Sequence, residues 1–160
     1  MPRSTISSKG QNHRRTPCIG VCSTTYGDLV CRGCKRFAHE IVGWNGFSEI
    51  QHKEIWERLT QLREGAIRQT IKVTNLNLLK KEAVDLDIAD VNKISEWDIA
   101  YQVLVESSER AISVTDLGIE SLSKKTLNSG SAMELVRQID HEFLRRSRAI
   151  YERNYKIPAD

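Results

Sequence analysis

No cysteine precedes Cys18 and none follows Cys34, so all four thiols of the chain fall within one short stretch. Unrelated core cysteines would be scattered, and these are not. Aromatic residues are also scarce, at 6%, which argues against a large aromatic-lined cofactor pocket. No apolar run approaches the ~20 residues needed to cross a bilayer. The N-terminal MPRSTISSKGQNHRRT lacks the apolar centre of a secretory signal. It is Arg- and Ser-rich like a transit peptide, but a short flexible basic arm is the simpler reading, and the expected location is cytoplasmic. There is no phosphate-cradling GxxxxGK[ST], no GxGxxG, no GxSxG and no HExxH. The four histidines are scattered, without partners at the spacing of a triad or a second metal site.

What is present is ordinary in bulk. With 39% hydrophobic and 28% charged residues, the composition is that of a soluble globular protein. A chain of 160 residues accommodates one domain with a real core, or a small module plus a modest domain. The formal charge of +3 hides an asymmetry. Up to Arg36 the basic residues Arg3, Lys9, Arg14, Arg15, Arg32, Lys35 and Arg36 face Asp28 alone, which leaves the remainder mildly acidic. A basic end suggests an anionic partner, either nucleic acid or an acidic protein surface. A solubilising tail is the plainer alternative.

The thiols are spaced Cys18-x3-Cys22, a loop of eight residues, then Cys31-x2-Cys34. Each close pair acts as a small chelate, and two pairs joined by a short loop can converge on one centre. Cys31-Arg32-Gly33-Cys34 has the form of a zinc knuckle, in which amides near Gly33 point at the first sulfur. Gly20 serves the first pair likewise, and Gly27-Asp28 marks a turn. A disulfide reading needs an oxidising compartment that nothing in the sequence indicates. Zinc takes four thiolates in a closed tetrahedron and is the physically favoured metal; an iron–sulfur cluster, which also takes four cysteines, is the alternative. A closed zinc site is structural, not catalytic. Arg32, Lys35 and Arg36 would either offset the excess charge of four thiolates or, with Arg14 and Arg15, contact an anion.

The run Pro17-Cys18-Ile19-Gly20-Val21-Cys22, then Cys31-Arg32-Gly33-Cys34 with Arg36, Glu40-Ile41, Trp44, and a helix bearing Trp56 and Leu59 resembles a small bacterial family. It is known as domain-of-unknown-function family 1289 and often labelled as predicted Fe–S proteins. The resemblance covers about residues 17–62. It implies that Cys18, Cys22, Cys31 and Cys34 are the ligands, and it brings no established activity.

The organisation expected is α+β and helix-dominated, with a disordered basic arm over 1–16, a four-cysteine metal module with a capping helix over 17–65, and a mixed helical domain over 66–160. Within the module, Lys35 to Val42 reads as a short helix stopped by Gly43 in a left-handed cap. Ser48 and Gln51 form a capping box for a helix ending at Gly65, with Ile55, Trp56 and Leu59 on its inner stripe beside Trp44. Further on, Thr70–Thr74 and Ala111–Thr115 are strand candidates. Asn75, Ser95 and Ser131 open helices, the second with the stripe Trp97, Ala100, Tyr101, Leu104 and Val105, the third running to about Tyr155 with Leu135, Ile139, Phe143 and Ile150 inward. The function expected is a non-enzymatic, structural-zinc adaptor that docks weakly on nucleic acid or an acidic protein and does not enter a membrane. The alternative is a small iron–sulfur protein with a redox or cluster-carrying role.

Overall fold

The computed structural model describes residues 16–123 and 130–156. The expected basic arm lies, save for Thr16, outside those residues. The fold is α+β with helices dominant. In chain order it comprises α1 (Ala38–Gly43), α2 (Glu49–Thr70), β1 (Ile71–Val73), α3 (Leu76–Asp85), α4 (Glu96–Glu106), β2 (Ile119–Ser121) and α5 (Ala132–Tyr155), with short 3-10 turns at Ser23–Tyr26, Trp44–Gly46 and Val114–Leu117. No helix among the described residues is long and apolar enough to cross a membrane.

The chain divides into two compact units. One runs to Leu62 and resumes from Glu142; the other is Arg63–His141. The sequence reading assigned everything after residue 65 to a second domain, whereas the last turns of α5 are grouped with the cysteine segment.

In the first unit, α1 begins only at Ala38, because Lys35 is itself left-handed (φ 64°) and cannot continue a helix. The Glu40 carboxylate accepts the Phe37 amide at 2.8 Å and caps the first turn. Gly43 does not take the expected left-handed cap. Its φ is −86°, and the chain passes directly into the 3-10 turn at Trp44. The capping box on α2 forms in both directions: Ser48 N donates to Gln51 Oε1 at 2.9 Å and Gln51 N to Ser48 Oγ at 3.3 Å. Trp44, Ile55 and Leu59 make a buried cluster, with Phe47, Trp56 and Phe143 packed against it.

Helix α2 runs through Gly65 instead of stopping there. One interior glycine costs about 1 kcal/mol, and the next turn fully buries Ala66 and Ile67, a larger gain. It ends where Thr70 Oγ1 donates back to Ala66 O at 2.8 Å and β1 begins. The second unit buries Ile67, Ile71, Leu79, Ile99, Val103, Leu104, Ile119, Leu135 and Ile139 almost completely. Its second strand is not at Ala111–Thr115. There the chain makes a 3-10 turn that buries Val114 and Leu117, and β2 pairs antiparallel with β1 through Ile71↔Ser121, Lys72↔Glu120 and Val73↔Ile119. Gly118 makes this reversal possible: at φ 76°, a Cβ there would lie 2.4 Å from Asn75 O.

Helix caps at Asn75 and Ser95 are as read, their side chains accepting the amides of Leu78 and Asp98. The stripe of α4 is rotated from the one expected. Ile99, Ala100, Val103 and Leu104 are buried, while Val105 is exposed. Trp97 and Tyr101 are half-buried because they carry cations: Arg68 lies 5.2 Å over Trp97 and Arg63 5.8 Å over Tyr101, and Arg63 also reaches Asp98 at 2.7 Å. Burial raises the Tyr101 phenol above its ordinary range, with Arg63 opposing.

Candidate metal centre

Cys31 and Cys34 sit in a tight reversal between Leu29 and Ala38. Val30 bridges Phe37, Cys31 N donates to Arg36 O at 2.9 Å, Lys35 N to Cys31 O at 2.9 Å, and Ala38 N to Leu29 O at 2.9 Å. Both thiols are buried. Burial alone would raise the Cys31 thiol. The backbone amides of Cys34, Ser23 and Gly33, with the Cys34 thiol, outweigh it and bring Cys31 down to about 7. This is the amide arrangement expected of the knuckle. Gly33, however, is required by close approach and not by φ: a Cβ there would meet Val21 O at 2.8 Å and Ile19 Cγ1 at 2.9 Å. The first loop therefore lies directly against the knuckle.

That first loop has an amide of its own aimed at sulfur. Gly20, at φ 94°, donates its N–H to Cys18 Sγ at 3.3 Å. Cys22 Sγ and Thr24 Oγ1 share a hydrogen bond at 2.8 Å, and Ser23 Oγ accepts Arg32 N at 2.8 Å, tying the two segments together. Cys31 Sγ reaches Val21 O at 3.7 Å. The structure thus sets the two cysteine pairs side by side. It does not gather them: among the described residues no three Cys, His, Asp or Glu side chains converge on a point that could hold an ion. Cys18 is exposed and Cys22 half-buried.

The basic residues around the knuckle need revision. Lys35 and Arg36 are only 2% and 3% exposed. Lys35 Nζ donates to Arg32 O at 2.7 Å and Gly33 O at 3.0 Å and lies over the Phe143 ring. Arg36 Nε donates to Cys34 Sγ at 3.3 Å, and its guanidinium lies 4.7 Å over the Trp44 ring, on which the His52 ring also stacks at 4.1 Å. Burial pushes the Cys34 thiol up, with Arg36 opposing. These two cations serve the turn and its sulfur because buried carbonyls and thiols need donors; neither is presented to an external anion. Arg32 is exposed and pairs with Asp28 at 3.1 Å. Arg14 and Arg15 lie outside the described residues.

Sequence reasoning missed two supports. Arg58 on α2 holds Glu40 in a two-pronged ion pair, with Nη2 to Oε2 at 2.7 Å, and lies 4.2 Å over the Phe37 ring. The spacing Phe37-x-x-Glu40 carried half of a capping signal, but Phe37 has no side-chain acceptor. Tyr151 and Tyr155 of α5 pack edge-on against Phe37 at 5.3 and 5.6 Å, a contact that no local pattern reveals.

Residues 16–63 match a family model described as a protein of unknown function, DUF1289. The resemblance carried by the cysteines, Glu40, Trp44 and Trp56 therefore holds. No curated protein and no solved structure matches the chain. The donor set of this segment suits a thiophilic ion in its chemistry, since the amides and the guanidinium already face sulfurs that would have to be thiolates. Val21 O, which faces Cys31 Sγ, is the contact that does not suit one.

Proposed function

We propose that Cys18, Cys22, Cys31 and Cys34 together hold one structural zinc ion, and that the protein is a non-enzymatic adaptor presenting the metal-ordered segment to an anionic partner. The observation that carries this reading is the set of donors placed on the sulfurs, Gly20 N–H on Cys18 Sγ and Arg36 Nε on Cys34 Sγ, each at 3.3 Å, beside backbone amides that bring the Cys31 thiol down to about 7 in spite of its burial. Thiolate, not thiol, is the metal ligand, and amides aimed at sulfur are the support a bound thiolate requires. Gly20 supplies the same support to Cys18, and Arg36 to Cys34. Four thiolates around zinc leave no open position, so the ion would order the loop without taking part in a reaction. Within that arrangement Lys35 holds the turn carbonyls and Glu40–Arg58 fixes its far end.

Metal analysis of the purified protein, prepared anaerobically, tests this. The expected result is one zinc per chain in a colourless protein, with the metal lost from the Cys22→Ser and Cys31→Ser variants. Iron with acid-labile sulfide and a brown colour would replace zinc by a cluster on the same cysteines. A parent protein free of both metals, or serine variants with full metal content, would overturn the reading.

A further inference from the structure

An open groove of about 220 Å³ runs between Gly27–Val30 and the end of α5, lined by Arg148, Tyr151, Glu152 and Lys156 on the helix side. All of these residues belong to the first unit. Arg145 and Arg148 on the exposed face of α5 and Lys156 just past its end follow one another along the chain, over about 16 Å at 1.5 Å per residue, and Arg32 is exposed beside the loop. Three carboxylates stand among them: Asp28 with Arg32 at 3.1 Å, Glu142 with Arg145 at 2.7 Å, and Glu152 with Lys156 at 3.6 Å. Arg148 is exposed and has no ion-pair partner among the described residues. The aromatic placement singles this face out. Of the chain's four tyrosines, Tyr151 lines the groove, while Tyr26, 89% exposed, and Tyr155, 50% exposed, each immediately precede a lining residue, Gly27 and Lys156.

We infer that this face binds single-stranded nucleic acid, with Arg148, Lys156 and Arg32 on phosphates and Tyr26 and Tyr155 as stacking platforms for bases. Exposed rings beside a cationic track suit unpaired bases, whose faces are open. A duplex keeps its bases stacked on each other, and an acidic peptide would use the cations but leave the rings idle. The length of the track spans several nucleotides. The inference rests on the metal reading only in that the metal would order the loop carrying Tyr26 and Asp28.

The test is fluorescence anisotropy of a labelled 12-nucleotide oligo-U with the full chain as purified, its metal content measured on the same samples. With three cations engaged, the salt slope should be about −2, or about a 20-fold loss of affinity between 50 and 200 mM salt. An Arg148→Ala, Lys156→Ala variant should bind at least tenfold more weakly, with a slope shallower by about 1.4. Tyr26→Phe should bind as the parent does, and Tyr26→Ala more weakly with an unchanged slope. Three results would overturn the inference: no binding by a metal-replete parent; binding lost in Arg14→Ala, Arg15→Ala but kept in Arg148→Ala, Lys156→Ala; or displacement by polyglutamate as effective as by unlabelled oligo-U, which would make an acidic protein the partner. Metal-free parent protein that still binds through Arg148 and Lys156 would leave this inference standing and defeat the zinc reading alone.

Discussion

The two units of this chain bury different kinds of side chain. Arg63–His141 is closed by aliphatic residues, and among its described residues the buried polar ones are Thr70 and Ser107. The unit holding the cysteines buries Lys35, Arg36, Glu40 and Ser23 with Cys31 and Cys34, around a modest cluster of Trp44, Ile55 and Leu59. Apolar burial stabilises at roughly 25 cal/mol per Å², whereas each buried charge must find a partner to avoid a penalty. The second unit is closed by an apolar core. The first sets its donors on sulfurs, turn carbonyls and Glu40, and under the zinc proposal its order would follow the state of those sulfurs.

Substitutions can break or sharpen that contrast. Leu104→Ala, at a fully buried position of α4, should cost about 2–5 kcal/mol. Urea unfolding followed by circular dichroism should show the loss, with metal content unchanged. Arg58→Met should cost about 3 kcal/mol, the low end of the range for orphaning a buried partner, since Arg58 is 21% exposed and Glu40 only 6%. Its signature should be confined to the cysteine unit, read as a shift in the unfolding midpoint followed by tryptophan fluorescence. Gly33→Ala pushes a Cβ to 2.8 Å from Val21 O. It should cost about 1–3 kcal/mol as overpacking does and weaken zinc retention in chelator competition, with exchange protection in Arg63–His141 untouched.

The smallest effect concerns pH. A hydrogen bond from Arg145, opposed by partial burial and assisted by Arg146, holds the Glu142 carboxyl below its ordinary range. Its folded state is the more acidic one, so the ion pair stabilises at neutral pH and that contribution disappears as pH falls through the folded value. Glu142→Gln should therefore flatten the acid limb of stability against pH and leave stability above neutrality slightly lower. An unchanged acid limb would show that the pair contributes nothing.

Local chemistry was legible in the sequence. The caps at Ser48, Asn75 and Ser95 each need only residues within one turn, and the knuckle amides follow from Cys-x-Gly-Cys spacing. What escaped was set by distant partners. Gly65 stays helical because Ala66 and Ile67 have a core to enter, and β2 lies at Ile119 because Gly118 alone can turn against Asn75. The inner face of α4 is rotated because Arg63 and Arg68 claim Tyr101 and Trp97 as platforms. Lys35 and Arg36 could be read either as offsetting the thiolates or as contacting an anion, because charge counting does not show burial; the turn's carbonyls and Cys34 are their acceptors. Tyr151 joins the cysteine unit from over a hundred residues away, beyond any window of periodicity.

Region-resolved hydrogen exchange before and after chelation tests the central claim most directly, since structural metal binding acts as folding energy. The account predicts that removing zinc abolishes protection across residues 16–62 and leaves Arg63–His141 at its original rates. Equal loss in both regions, or full protection of residues 16–62 in metal-free protein, would contradict it.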